Sequence, residues 1–147
     1  MTDQPIAYTA EGRPLYDNTA SVVCLAVFNE LGETLLVKRA TNPGKGLWAL
    51  PGGFHMRGET WQQCGAREVY EEVGLELEDK YHGVQIVTDE YHHNVIMSFA
   101  LDKGTKPLNP NAEEVEEARW VSNEEARGLE WAFPVHRNFL LGATFLD

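Results

Sequence analysis

Cysteine is scarce: Cys24 and Cys64 are the two in the 147-residue chain, and they form no CxxC pair. That argues against a disulfide framework or a zinc ribbon and predicts two reduced, mostly buried thiols in a cytoplasmic protein. Long apolar runs are missing as well. The longest, Val22 to Phe28, has seven residues, whereas a membrane helix needs about 20. Residues 1–14 lack the basic-then-apolar order of a signal peptide. Basic residues are few, 12 Lys and Arg against 23 Asp and Glu, for a net charge of −11. Such a surface repels a phosphate backbone over most of its area, so no nucleic-acid coating is expected. A small phosphorylated ligand remains compatible, because a bound cation can bridge it. No internal repeat, linker or low-complexity stretch is visible, and 43% apolar with 24% charged residues suits one ordinary globular domain.

Residues 1–18, with Pro5, Gly12 and Pro14, read as an irregular arm ahead of a single domain at 19–147. Ser21–Phe28 suits a strand buried on both faces. A turn through Gly32 leads to Thr34–Arg39, which reads as the second arm of a hairpin. Leu47–Leu50 is short and apolar and stops at Pro51-Gly52-Gly53. The strongest helix signal is Trp61–Val73. Thr60 and Gln63 form a capping box before it, and Gly74 can take the left-handed position after it. Strand-like stretches follow at Val84–Thr88, Asn94–Leu101 and Ala118–Val121. Ser122 to Glu125 is a second capping box, opening a short helix that Gly128 ends. Pro134 suits the first position of a last helix near Val135–Leu141. Interspersed strands and helices predict an α/β or α+β sandwich.

Chemistry concentrates in the Trp61–Val73 helix. Glu68, Glu71 and Glu72 stand at i, i+3 and i+4 and share one face, where like charges cost about 0.2–0.5 kcal/mol per pair. Glu71 and Glu72 also occupy the last turn, where the helix dipole disfavours carboxylates by a further ~0.3–1 kcal/mol each. A solvated acidic face is one reading. A cation site is the other, and oxygen donors at this density suit Mg²⁺ or Mn²⁺ rather than zinc or copper. A magnesium site beside a loop implies phosphate chemistry.

Gly53, five residues, Glu59, seven residues, then Arg67-Glu68-Val69-Tyr70-Glu71-Glu72-Val73-Gly74-Leu75 resembles the complete 23-residue signature box of the Nudix hydrolases. Leu47–Gly52 before it, and Glu113-Glu114 with Ala118–Val121 after it, resemble the family too. The resemblance implies a Nudix-like α/β/α sandwich with a mixed central sheet and a loop–helix–loop catalytic box. It implies hydrolysis of a nucleoside diphosphate linked to another group, by water attack at phosphorus. Glu68 and Glu72 match the main metal ligands, with Glu71 close by and the Gly52 carbonyl as a further donor. Arg67 and Glu59 match the pair that orients the box. The general base varies within the family between a box glutamate and one from a later loop. Among Glu113, Glu114, Glu116 and Glu117, Glu114 is the loop candidate chosen here. Relatives are often dimers, which makes a homodimer an expectation.

Substrate contacts are less constrained. Trp48, Phe28, Phe54 and Phe133 could each stack on a nucleobase or simply fill core. Lys38 and Arg39 alternate on a strand, so one of them faces solvent or the cleft, and Arg39 is the phosphate-contact candidate. Gly44-Lys45-Gly46 lacks P-loop order and reads as a turn. His92 and His93 are strand neighbours pointing opposite ways, a poor shared ligand pair. The SQPWPFPxS-like array of NADH-specific members is absent. ADP-ribose hydrolases of the family often carry a proline near the position of Glu90 or Tyr91, and dinucleoside polyphosphate hydrolases a tyrosine. Tyr91 stands sixteen positions beyond Leu75. A triphosphate or dinucleoside polyphosphate is therefore favoured, with ADP-ribose or a nucleotide sugar as the alternative. A non-catalytic sensor domain is the alternative from another class.

Overall fold

The N-terminal arm is not irregular throughout. In the computed structural model, which describes residues 3–142, β1 (Ala7–Tyr8) and β2 (Pro14–Leu15) pair as a small antiparallel hairpin. Gly12, at φ 86°, takes a turn conformation that L side chains rarely adopt. Thr9 Oγ1 accepts a hydrogen bond from the Arg13 amide at 3.0 Å. These local bonds order a segment whose composition alone reads as loop.

The strands β3 (Ser21–Phe28), β4 (Thr34–Arg39), β5 (Trp48–Ala49) and β6 (Gly52–Phe54) come next, followed by α1 (Trp61–Val73). β7 (Leu77–Thr88), β8 (Asn94–Asp102), β9 (Val115–Val121), α2 (Asn123–Arg127) and α3 (Pro134–Gly142) complete the order. Among the described residues, β3 to β9 form one mixed sheet in the order β5-β4-β3-β8-β7, with β6 also on β3 and β9 also on β4. β3 and β8 run parallel from Ser21 opposite Asn94 to Phe28 opposite Leu101, and the other pairings are antiparallel. The β3–β4 hairpin holds only at its turn, where Phe28 faces Thr34. Beyond that point β6 takes the place on β3, with Cys24 opposite Gly52.

β3 reads as continuously apolar because helices cover both faces of the sheet. Val23, Leu25 and Val27 pack with Cys64, Val69 and Val73 of α1. Cys24 and Ala26 point the other way, toward Ala126 of α2 and Phe139, Leu140 and Leu141 of α3. The result is the expected α/β/α layering. Both cysteines are buried and form no disulfide, and burial, aided by the charge of Glu59, pushes the Cys64 thiol up to about 12. No described helix is long and apolar enough to cross a membrane.

α1 has the expected bounds. Thr60 Oγ1 accepts from the Gln63 amide at 3.1 Å, and Gln63 Oε1 accepts from the Thr60 amide at 2.9 Å. Gly74 ends the helix at φ 75°. β7 and β9 start earlier than their apolar patterns suggest. β7 lies at the sheet edge with much of its surface exposed, and its register shifts between Leu77 and Tyr81 and again between His82 and Gln85. Both features erase the period-two alternation that marks a strand.

Close helix–sheet contact depends on Gly65. A Cβ there would lie 2.7 Å from Leu25 Cδ1 and 2.9 Å from its Cγ. Alanine adds about 1 kcal/mol of helix propensity, but overpacking costs about 1–3 kcal/mol. Gly65→Ala should therefore lower the melting temperature by a few degrees, at about 2–4 °C per kcal/mol for a chain of this size. A raised melting temperature would mean that Leu25 yields freely and that the contact is not tight.

Candidate active site

Arg67 organises the carboxylates of the box. Its Nε and Nη2 donate to Glu59 Oε2 and Oε1 at 3.0 and 2.8 Å, a bidentate pair. Nη1 reaches Glu68 Oε1 at 2.9 Å and Glu71 Oε2 at 3.2 Å. Nη2 also donates to the Phe54 carbonyl at 3.2 Å, tying the helix to the end of β6. The Arg67 contacts hold the Glu59 carboxyl down at about 2. One guanidinium thus offsets part of the repulsion along the helix face and fixes where Glu68 and Glu71 lie.

Glu72 stands outside that network. It is 7% exposed and accepts a hydrogen bond from the Gly52 amide at Oε2, 3.0 Å away. Burial, then the charge of Glu68, pushes its carboxyl well above the usual range, against the opposing Gly52 bond. Glu68 is raised too, by burial first and by Glu71 and Glu114 in addition, against Arg67. Gly53 leaves room for this pair: a Cβ on it would fall on the Glu68 carboxyl group. Among the described residues, no three His, Cys, Asp or Glu side chains already stand in coordinating geometry. The donor chemistry nevertheless fits a hard divalent cation, because Glu68 and Glu72 are two under-compensated carboxylates beside a glycine backbone.

These two glutamates line a cavity of about 480 Å³ that also receives Gly52, Phe54, Arg39, Tyr91 and Glu114. Among the described lining residues, Arg39 is the one Lys or Arg. Its Nε donates to the Pro43 carbonyl at 2.6 Å, and its guanidinium lies 5.1 Å from the centre of the Phe133 ring. Phe54 and Tyr91 are 49% and 46% exposed, and each has its ring near His93, at centroid distances of 5.4 and 6.3 Å. Asp89 holds that turn by accepting from the Tyr91 and His93 amides at Oδ1, both at 2.9 Å.

Arg67, Glu59, Glu71 and Trp48 do not line the cavity. Glu59 and Glu71 are engaged by Arg67, and the Glu71 side chain stays half-exposed next to Glu68. Trp48 is corrected from substrate contact to core. It is 5% exposed, packs with Leu36 and Leu50, and carries the Arg119 guanidinium over its ring at 4.6 Å. Its partner position on β4 is Lys38, so the ring fills the sheet rather than the cleft. Sequence reasoning passes over His136. This buried histidine lines the cavity from α3, and its signal is a polar residue on the face of that helix that buries Phe139 and Leu140.

A family model for the NUDIX domain matches residues 17–141. The NAD-capped RNA hydrolase NudC of Photobacterium profundum is 30% identical over 111 residues, which are 75% of this chain and 40% of that protein. The enzyme of the same name from Stutzerimonas stutzeri is 32% identical over 92 residues, 60% of this chain and 32% of that one. The chain thus spans about a third to two fifths of the length of these curated relatives. A solved Nudix hydrolase from Nitrosomonas europaea superposes with a TM-score of 0.75 at 25% identity, covering 91% of this chain and 75% of that one. The matched span includes the whole mixed sheet and the carboxylate-bearing helix, and the chain belongs to the Nudix family.

Proposed function

We propose that the chain is a magnesium-dependent Nudix pyrophosphohydrolase acting on a nucleoside triphosphate or dinucleoside polyphosphate. The observation that carries this reading is the cavity in which Glu68, Glu72 and Glu114 meet Arg39, Phe54 and Tyr91. Acid groups for a cation, one fixed arginine for phosphate oxygens and aromatic rings for a base are the parts such a substrate requires.

Glu68 and Glu72 would hold Mg²⁺, or Mn²⁺ in its stead, with Glu71 and the Gly52 carbonyl as further donors. When bound, the ion supplies neutralisation of the diphosphate and a more acidic water. Glu114 accepts the proton of the attacking water. It lines the cavity and its charge bears on both Glu68 and Glu72. Arg67, braced by Glu59, orients Glu68 and Glu71 in the manner of an outer-shell partner. Arg39 binds phosphate oxygens, while Phe54 and Tyr91 flank the base. The curated relatives act, by their names, on NAD-capped RNA. That specificity is not carried over, because the array expected of NADH-specific members is missing after Leu75.

Metal binding at carboxylates whose charge is only partly offset also stabilises the native state. An ion at a hundred times its dissociation constant adds about 2.7 kcal/mol, so the melting temperature should rise by about 5–10 °C at 2–4 °C per kcal/mol. Chelator should reverse the rise. No shift at tens of millimolar Mg²⁺ or Mn²⁺ counts against the site.

Substrate choice is tested with a panel of nucleoside triphosphates, dinucleoside polyphosphates, nucleotide sugars and dinucleotides, with Mg²⁺ present and products identified. A nucleoside monophosphate with pyrophosphate marks a triphosphate substrate, and two nucleotide fragments mark a linked diphosphate. Binding without turnover anywhere in the panel favours a sensor domain instead. If Tyr91 contacts a second nucleotide, Tyr91→Ala should impair dinucleoside polyphosphates about tenfold or more, as one stacking contact of ~1–3 kcal/mol allows, and triphosphates far less. Equal effects on the two classes leave Tyr91 as a structural residue.

A further inference from the structure

His136 is 5% exposed and lines the cavity from α3, in a lining that also includes Val95 and Val135. Its Nδ1 accepts a hydrogen bond from the Leu50 amide at 3.2 Å. An accepting Nδ1 leaves the ring proton on Nε2. Burial, aided by Arg39 and opposed by Asp89, pulls the imidazole down to about 3, so the ring is neutral over the working range. The Phe133 ring, 4.9 Å away at 56°, packs against it and limits its rotation. Among the described residues no group accepts from Nε2, and the ring lines the cavity. A locked, uncharged donor that opens on the cavity is available to an acceptor bound there.

We propose that the Nε2–H of His136 reads the nucleobase of the substrate, donating to a ring nitrogen or carbonyl oxygen on its edge. This rests on the nucleotide reading above and adds a residue that determines which bases the site accepts. A phosphate is drawn first to the Arg39 guanidinium and to a cation held by Glu68 and Glu72, whereas one oriented neutral donor favours a neutral acceptor such as the edge of a heterocycle. A site with a buried donor discriminates against any base that offers no acceptor to it, because that donor is then left unpaired.

Two substitutions separate reading from scaffolding. His136→Asn keeps an oxygen where Nδ1 stood, able to accept from the Leu50 amide, and removes the donor from the cavity. His136→Gln extends an amide NH₂ to where Nε2 stood and leaves the Leu50 amide without its acceptor. Affinity is measured by calorimetry with AMP, GMP, CMP and UMP, and with inorganic pyrophosphate plus Mg²⁺ as the base-free control. Wild type should bind at least one nucleotide. His136→Asn should weaken that binding about tenfold, the worth of one such hydrogen bond, with pyrophosphate unchanged. His136→Gln should melt lower yet hold the nucleotide within about threefold of wild type, a loss below that of one hydrogen bond. Independently of any variant, long-range proton–nitrogen spectra of wild type should show the His136 Nε2 resonance shifting with nucleotide and not with pyrophosphate. Unchanged nucleotide affinity in His136→Asn, equal losses for pyrophosphate, or an unmoved Nε2 resonance overturns the inference while leaving the hydrolase reading intact. Wild type that binds no nucleotide and hydrolyses nothing overturns both.

Discussion

Glu68→Gln and Glu72→Gln should each lower turnover at least about a hundredfold, the ~3–4 kcal/mol lost when an electrostatic contact is removed where transition-state charge develops. The metal-free variants should nonetheless melt at or above the wild-type temperature. The amide introduced by Glu72→Gln retains an oxygen for the Gly52 N–H and sheds a buried charge that Glu68 repels. The sign follows from linkage. The folded Glu72 carboxyl titrates above its unfolded value, so the native state binds the extra proton and stability falls as pH rises through that interval. Above the ordinary carboxylate range, where Glu59 and Glu76 are already ionised, metal-free wild type should therefore lose stability as pH rises, and Glu72→Gln should flatten that decline. Glu124→Gln, exposed on α2 and away from the cavity, is the control and should leave the rate nearly unchanged. Kinetics and chelator-treated melting on the three variants test this. Box variants that keep more than about a tenth of wild-type activity would leave Glu68 and Glu72 as structural carboxylates, since transition-state contacts do not permit so small a loss.

Glu114→Gln should lower kcat by about 10²–10⁴, the range for a positioned general base, with a smaller effect on KM. Four glutamates in the same loop and strand compete for the role, and the geometry separates two of them. Glu114 lines the cavity, whereas Glu117 pairs with Arg119 at 2.9 Å on the surface. Glu117→Gln should accordingly stay within about threefold of wild type, because exposed pairs contribute under ~1 kcal/mol. If both variants keep full activity, the base lies elsewhere, and Glu71, which is half-exposed beside Arg67, is the next to substitute.

Local chemistry is what can be read in advance. The α1 helix carries its own start and stop signals in Thr60, Gln63 and Gly74, and its carboxylate spacing fixes a shared face without any tertiary information. Strand alternation narrows the cleft-facing cation to Lys38 or Arg39, and the fold brings Arg39 to the cavity. What cannot be read depends on contacts between distant segments. The parallel pairing of β3 with β8 joins Ser21 to Asn94, and nothing in either strand encodes the other. Insertion of β6 beside β3 rests on a close approach at Gly52, where a Cβ would lie 2.7 Å from Cys24 Cα. Trp48 suits cleft and core equally well as a sequence position, and only the joining of its strand to the edge of β4 decides between them. His136 reads as an ordinary residue of the last helix, and its meaning comes from the Leu50 amide, 86 positions earlier.

Hydrolysis in H₂¹⁸O with product mass spectrometry, run with and without chelator, tests the central claim most directly. With the panel's best substrate and Mg²⁺, one ¹⁸O should enter a phosphate group of a single product per cleavage, and chelator should abolish the reaction. Label in neither phosphate product, or turnover that persists in excess chelator, would contradict metal-dependent attack of water on phosphorus at the Glu68 and Glu72 site.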